Sequence, residues 1–138
     1  MILQDKTVVV TGVGGGLGRE CAAAALRDGA NVVIAARTAD TLTTIAGELD
    51  PSGERVATQV TDITDAASCE GLVDLATERF GGVDALVQVA AFENAWGGLY
   101  DLKFEDWRAA FDTNVIGTHT VIRPVAQAGG RAVAGLSC

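Results

Sequence analysis

The chain has 138 residues, of which 49% are hydrophobic and 20% charged, and its net charge is −8 at neutral pH. This length suits one domain with a hydrophobic core, and the hydrophobic content excludes an intrinsically disordered chain. The negative charge disfavours binding to nucleic acids and to anionic membranes, and no apolar run is long enough to span a bilayer. Three widely spaced cysteines without a Cys-x-x-Cys motif indicate reduced thiols in a cytoplasmic protein and no metal site.

Apolar runs alternate with helical patterns along the chain, which predicts βαβ units and a parallel sheet. The predicted strands cover residues 7–11, 31–36, 55–60, 83–89 and 131–136. The predicted helices cover residues 17–27, the segment from a cap at Thr38 or Asp40 to about Asp50, residues 65–80 and residues 104–122. A loop is expected over residues 92–101, and Pro124 is expected close to the end of the last helix.

A glycine-rich segment joins the first predicted strand to the first helix, and it reads Thr-Gly-Val-Gly-Gly-Gly-Leu-Gly over residues 11–18. Free N–H groups and the positive end of the helix dipole at such a helix start attract the oxygens of a pyrophosphate. Gly12 would permit the tight turn, Gly16 the approach of a phosphate, and Gly18 the packing of the helix on the strand. An ordinary glycine-rich turn is the alternative. The candidate dinucleotide-binding residues here are Gly12, Gly14, Gly15, Gly16, Leu17, Gly18 and Arg19.

The spacing Thr-Gly-x-x-x-Gly-x-Gly resembles that of the short-chain dehydrogenase/reductase family, and the resemblance extends along nearly the whole chain. Members of this family transfer a hydride between a nicotinamide cofactor and an alcohol or carbonyl compound. The resemblance implies an α/β fold with a Rossmann-like, doubly wound parallel sheet of about five strands in a three-layer αβα arrangement. The expected strand order follows the family's 3-2-1-4-5-6-7, within a single domain over residues 1–138.

The end of the second predicted strand indicates which nicotinamide cofactor is preferred. An acidic residue there would bind both ribose hydroxyls of NAD, but the chain has Ala36 followed by Arg37. The Arg37 guanidinium can pair with the 2′-phosphate of NADP, and Arg19 is expected near the same phosphate. NADP is therefore predicted, with NAD as the other possibility. The competing interpretation of Arg37 is a solvated residue at a helix start.

Two further segments match cofactor-contacting elements of the family. Asp62-Ile63 resembles the family's Asp-hydrophobic pair, whose carboxylate holds the adenine amino group, although Asp62 could equally cap a turn or helix. Where the family has Asn-Asn-Ala-Gly, residues 88–91 read Gln-Val-Ala-Ala. This departure puts the polar bracing of the sheet in doubt and leaves backbone contacts at Ala90 and Ala91 as the expected cofactor contacts.

Two residues are candidates for a catalytic role. Asn114 begins the segment Asn-Val-Ile-Gly, which resembles the family's Asn-x-x-Gly element. In active members this asparagine distorts its helix and its carbonyl holds a water of the proton relay, while Gly117 would let the helix pass close to a neighbour. The family's substrate-positioning serine maps onto Ser137, or is replaced by Cys138 in another register.

The proton donor of the family is a tyrosine followed four residues later by a lysine. The chain has one tyrosine, Tyr100, and Phe104 stands four residues beyond it. We therefore expect a truncated, cofactor-binding half of a reductase with little or no turnover. The alternatives are an active NADP-dependent oxidoreductase completed by another residue or chain, and a non-enzymatic assembly partner. An apolar strand at an open sheet edge and an uncovered long helix predict a homo-oligomer.

Overall fold

The computed structural model describes residues 1–129 and 132–134, in which strands and helices alternate. The strands are β1 (Thr7–Thr11), β2 (Asn31–Ala36), β3 (Val56–Val60), β4 (Ala85–Gln88) and β5 (Ala132–Ala134). The helices are α1 (Leu17–Arg27), α2 (Ala39–Leu49), α3 (Ala66–Phe80), α4 (Phe104–Phe111) and α5 (Thr118–Gln127), with a π-helical segment (Asp112–Gly117) between the last two.

The strands form one parallel, five-stranded sheet in the order β3-β2-β1-β4-β5. Val9 of β1 lies beside Val33 of β2 on one side and Leu86 of β4 on the other. The chain winds outward from β1 in one direction and returns to β4 on its other side. The order therefore confirms the predicted doubly wound sheet, and a crevice is expected at the carboxyl ends of β1 and β4, where the winding reverses.

The core consists of two layers, one on each face of the sheet. Val8 and Val10 of β1 pack with buried residues of α1 and α2, whereas Val9 packs with buried residues of α3 and α5. Both faces of the central strand are covered, so its side chains form a continuous buried run instead of alternating with polar ones. The predicted three-layer αβα arrangement is confirmed.

Several element ends follow from local hydrogen bonds. The Asp65 side chain accepts a hydrogen bond from the Ala67 N–H at the start of α3, and Gly81 ends that helix with a left-handed φ of 86°. Thr38 occupies the N-cap position of α2 but makes no capping hydrogen bond with its side chain. Strand β3 begins at Val56, one residue later than predicted. The N–H of Arg55 donates to Asp50 Oδ2 at 2.7 Å and not to a neighbouring strand.

The last long helix differs from the prediction in two respects. It contains the π-helical segment Asp112–Gly117, and it continues past Pro124 to Gln127. Val121, three residues before Pro124, and Val125, directly after it, are fully buried. Their packing offsets the loss of the backbone hydrogen bond that proline cannot donate. None of the helices in the described ranges combines the length and the apolar character that crossing a membrane requires.

Candidate functional site

A cavity of about 560 Å³ lies at the carboxyl ends of β1 to β4, at the predicted crevice. Most of the candidate cofactor residues line it, and the exceptions are Gly15 and Arg19. The residues that were predicted for cofactor binding and do line the cavity are Gly12, Gly14, Gly16, Leu17, Gly18, Arg37, Asp62, Ile63, Ala90 and Ala91.

The glycines after β1 differ in what their missing side chains permit. Gly12 has a φ of 67°, and a Cβ there would lie 2.3 Å from the backbone nitrogen of Ala90. A Cβ on Gly18 would lie 2.8 Å from the carbonyl oxygen of Gly12. Around Gly14, Gly15 and Gly16 a Cβ would meet open space within 4 Å. The outer two glycines are therefore needed for packing, and the inner three leave room beside the chain.

The start of α1 is suited to an anion. Its N-cap is Gly16, which has no side chain to satisfy the first N–H groups of the helix. Those N–H groups and the positive end of the helix dipole favour a phosphate beside the bare glycine backbone. The open space at Gly14 and Gly16 is the room that a pyrophosphate requires, so the residues present fit a dinucleotide.

The far end of the cavity combines a cation and a carboxylate. Arg37, directly after β2, and Asp62, after β3, both line it. Asp62 Oδ1 accepts hydrogen bonds from the Thr64 hydroxyl at 2.7 Å and the Thr64 N–H at 2.9 Å. These bonds, with a smaller contribution from the charge of Arg37, lower the pKa of Asp62. Asp62 thus forms a turn through Oδ1, and this role leaves its second oxygen outside the turn.

The guanidinium of Arg19 is engaged by two carboxylates. Its Nε and Nη2 donate to Glu48 Oε2 at 3.2 and 3.1 Å, and its Nη1 donates to Glu20 Oε1 at 3.0 Å. These bonds, led by that to Glu48, raise the pKa of Arg19. Because Glu48 belongs to the last turn of α2, the guanidinium is held between α1 and α2 and does not line the cavity.

The sheet is braced by polar side chains, contrary to the doubt raised by the Gln-Val-Ala-Ala segment. Gln88 is fully buried at the end of β4, and its Oε1 accepts a hydrogen bond from the Thr11 hydroxyl. Gln88 Nε2 donates to the Ala90 carbonyl at 3.0 Å, while Thr11 Oγ1 accepts from the N–H groups of Val89 and Ala90 at 3.2 and 3.4 Å. The longer glutamine side chain therefore fixes the turn that faces Gly12.

Asn114 lies in the π-helical segment and holds the loop after β4. Its Oδ1 accepts from the Phe92 N–H at 2.7 Å, and its Nδ2 donates to the Phe92 carbonyl at 3.1 Å. Three residues on, a Cβ added to Gly117 would lie 3.0 Å from the Ile63 side chain, so this glycine does permit a close approach. The helix is thus distorted where the family resemblance implies, and Asn114 ties it to the cavity wall at Phe92.

A second cavity, of about 520 Å³, shares Phe92 with the first and includes Asn114 in its wall. Trp96 and Trp107 also line this second cavity, whereas Tyr100 is almost fully exposed. Ser137, the other candidate catalytic residue, and Cys138 lie outside the described residues. Within the described part of the chain, no group of three or more histidine, cysteine, aspartate or glutamate side chains could hold a metal ion.

Several residues that line the first cavity were not predicted as site residues, and Thr38, Thr41 and Phe92 are among them. Thr38 and Thr41 line it from the start of α2, and Phe92 lines it from the loop after β4. Thr38 was identified only as a possible cap. The spacing of one turn from Thr38 to Thr41, directly after Arg37, is the signal that could have placed both on the cavity side of the helix.

Comparison with known proteins agrees with this arrangement. The family model for short chain dehydrogenases matches residues 6–135. A glycine betaine reductase from Emericella nidulans is 38% identical over 120 residues, which are 83% of this chain and 9% of that protein. Hydroxysteroid dehydrogenase-like protein 2 from Danio rerio is 39% identical over 104 residues, which are 70% of this chain and 25% of that protein.

A solved short-chain type dehydrogenase/reductase from Mycobacterium ulcerans has a TM-score of 0.89 and 32% identity, covering 96% of this chain and 51% of that one. The chain thus spans a quarter or less of those two curated relatives and about half of the solved one. Because the family model, the strand order and the glycine-lined cavity coincide, the chain belongs to the short-chain dehydrogenase family of oxidoreductases, whose members bind NAD(P).

Proposed function

We propose that this chain binds NADP in the first cavity, with a preference over NAD. The observation that carries this proposal is the position of Arg37, which directly follows β2 and lines the cavity. A guanidinium at this point can pair with the two charges of a 2′-phosphate, whereas NAD offers only a hydroxyl there. Ala36, which ends β2, supplies no carboxylate that would favour NAD or repel the phosphate.

The other contacts follow from the lining of the cavity. The first N–H groups of α1 and the open backbone at Gly14 and Gly16 would hold the pyrophosphate. The free oxygen of Asp62 would accept from the adenine amino group, and the turn at Ala90, fixed by Gln88, would lie beside the nicotinamide ribose. When bound, the nicotinamide supplies or accepts a hydride; the chain's residues bind and orient it.

We further propose that this chain by itself has little or no turnover. Hydride transfer to a carbonyl requires a proton donor at the carbonyl oxygen, and the sequence has no Tyr-x-x-x-Lys pair to provide one. Asn114, which positions Phe92, and Ser137 remain as candidates for supporting roles. NADPH oxidation with a panel of ketones should therefore be absent. Turnover by the purified chain would instead support an active oxidoreductase whose acid comes from another residue or chain.

Calorimetric titration with NADPH and NADH tests the binding proposal, together with the Arg37→Asp variant. We expect the variant to weaken NADPH binding about 10-fold or more, because a charge-assisted hydrogen bond contributes roughly 1.5–3 kcal/mol. Binding of NADH should change little or improve. The matched control is Arg108→Asp, which makes the same charge change at an exposed position on α4 outside the cavity. Equal losses of NADPH binding in both variants would contradict a contact between Arg37 and the 2′-phosphate.

A second candidate function is assembly, and the surface of α4 favours it. Phe104, Trp107, Phe111 and Val115 are 81%, 44%, 56% and 55% exposed. Their spacings of three and four residues place them on one side of α4 and the π-helical segment. We propose that this apolar stripe, with or without the terminal strand β5, joins the chain to a second copy of itself. If assembly were the sole function, a stable oligomer would form without affinity for either nucleotide.

A further inference from the structure

The guanidinium of Arg19, in the first turn of α1, donates hydrogen bonds to two carboxylates. Glu48 accepts from Nε and Nη2, and Glu20 accepts from Nη1, all within 3.2 Å. Glu20 is the next residue on the same helix, whereas Glu48 lies 29 residues further along the chain, on α2. The contact with Glu48 is therefore a tertiary one, which fixes the direction of the Arg19 side chain towards α2.

The position of Arg19 in the sequence would otherwise suit a phosphate. It directly follows Gly18, which lines the cavity, and it lies in the first turn of α1. Arg37, between the end of β2 and the start of α2, lines the cavity, but Arg19 does not. The chain thus has a second arginine beside the glycine-rich segment, and its ion pairs direct the guanidinium towards α2.

We propose that Glu48 is a specificity-determining residue for the nucleotide. By holding Arg19 against α2, it leaves Arg37 as the arginine that meets a 2′-phosphate and so limits the preference for NADP over NAD. The inference rests on the proposed function, since it concerns the same cavity.

A bound phosphate can compete with Glu48 for the Arg19 guanidinium, because the ion pair between the two side chains is weak. The side chains of Arg19 and Glu48 are 32% and 52% exposed, and an ion pair between side chains this accessible to solvent is weak. A doubly charged phosphate nearby can therefore compete for the guanidinium. Neutralising Glu48 removes one competitor and also removes a negative charge that disfavours the phosphate.

The test is a titration of the Glu48→Gln variant with two pairs of ligands that differ only in the 2′-phosphate. These are 2′,5′-ADP against 5′-AMP, and NADPH against NADH. We expect affinity for 2′,5′-ADP and NADPH to rise about two- to fivefold, since the substitution removes a weak, solvent-exposed ion pair. Affinity for 5′-AMP and NADH should stay unchanged.

Two controls separate this effect from general electrostatics. Glu78→Gln makes the same charge change at an exposed position on α3 outside the cavity, and it should leave all four affinities unchanged. Arg19→Gln should weaken NADPH binding less than about twofold when Glu48 is present, and more when Glu48 is replaced, because the two substitutions are coupled. Thermal denaturation of each variant reports whether the fold is retained.

The outcomes are distinguishable. If the unaltered chain binds none of the four ligands, both the proposed function and the role of Glu48 are wrong. If the chain binds them but Glu48→Gln leaves the preference for the 2′-phosphate unchanged, only the role of Glu48 is wrong. The same conclusion follows if Arg19→Gln alone weakens NADPH binding as strongly as Arg37→Asp does, since Arg19 would then meet the phosphate despite its ion pairs.

Discussion

Gly12 and Gly15 belong to the same glycine-rich segment but have different physical roles. Gly12 adopts a left-handed φ of 67° against the backbone of Ala90, while Gly15 is exposed and has open space around it. We expect Gly12→Ala to lower the free energy of unfolding by about 2–4 kcal/mol, since it adds both backbone strain and a clash with atoms that cannot move aside. Urea denaturation in the absence of nucleotide measures this change.

Gly15→Ala is the matched control for that substitution. It adds the same methyl group where nothing lies within 4 Å, so the free energy of unfolding should change by less than about 1 kcal/mol. Similar losses of stability in the two variants would contradict the assignment of Gly12 as the position where the turn requires a glycine.

At the scale of single residues, the sequence predicts roles that depend on neighbouring residues in the chain. It does not predict contacts with residues that are distant in the chain. The roles of Gly12 and Gly18 follow from their spacing between a strand and a helix. The partner of Arg19 comes from another helix, and nothing local to Arg19 indicates Glu48. Gln88 differs in type from the family's asparagine, and only the structure shows that its longer side chain still reaches Thr11.

The elements themselves were largely predictable, because most of their ends are local. Strand β1, helix α1 and strand β2 have the predicted bounds, and each is delimited by an apolar run or by glycines. The end of helix α5 was not predictable in this way. The helix continues past Pro124 because Val121 and Val125 make buried contacts with other elements. The i, i+4 spacing of Val121 and Val125 is consistent with a helix there, but Pro124 between them favoured an earlier end.

The connection between α2 and β3 depends on one carboxylate. Asp50 accepts from the Arg55 and Val56 N–H groups at 2.7 and 3.2 Å, and from the Ser52 hydroxyl and N–H. These bonds, led by that from the Ser52 hydroxyl, lower the pKa of Asp50. A carboxyl whose folded pKa is depressed stabilises the fold fully above its unfolded pKa of about 4, and the stabilisation is lost as pH falls through the folded pKa.

We therefore expect Asp50→Asn to lower the melting temperature at neutral pH, with a difference from the unaltered chain that shrinks as the pH falls below about 4. The substitution removes the charge and one acceptor oxygen from the turn. Thermal denaturation followed by circular dichroism from pH 7 to pH 2 measures the difference. A difference that stays constant over this range would mean that the charge of Asp50 does not contribute.

On the scale of the whole molecule, the apolar stripe of α4 is the feature that bears on assembly. The chain carries a net charge of −8, so copies repel one another over long distances, and apolar contact must overcome that repulsion. We expect the chain to sediment as an oligomer, and Phe111→Glu to shift it towards the monomer, because a carboxylate at the centre of the stripe would be buried. Sedimentation velocity at several concentrations measures the shift.

Ile2→Glu is the control, since it changes another exposed apolar residue outside the stripe. It should leave the sedimentation pattern unchanged. A monodisperse monomer for the unaltered chain would rule out self-association. An oligomer that persists in Phe111→Glu would instead indicate that β5, which ends the strand order, makes the contact.

Chemical modification of Cys69 can report the local opening of the fold around this residue. Its thiol is fully buried and lies 3.6 Å from the Ile63 carbonyl oxygen, directly beside the cavity wall, and burial raises its pKa to about 11. At neutral pH the reactive thiolate is almost absent in the folded state. We therefore expect modification of Cys69 by a thiol reagent to require opening of the contact between α3 and the loop after β3, and a nucleotide bound in the first cavity should slow it.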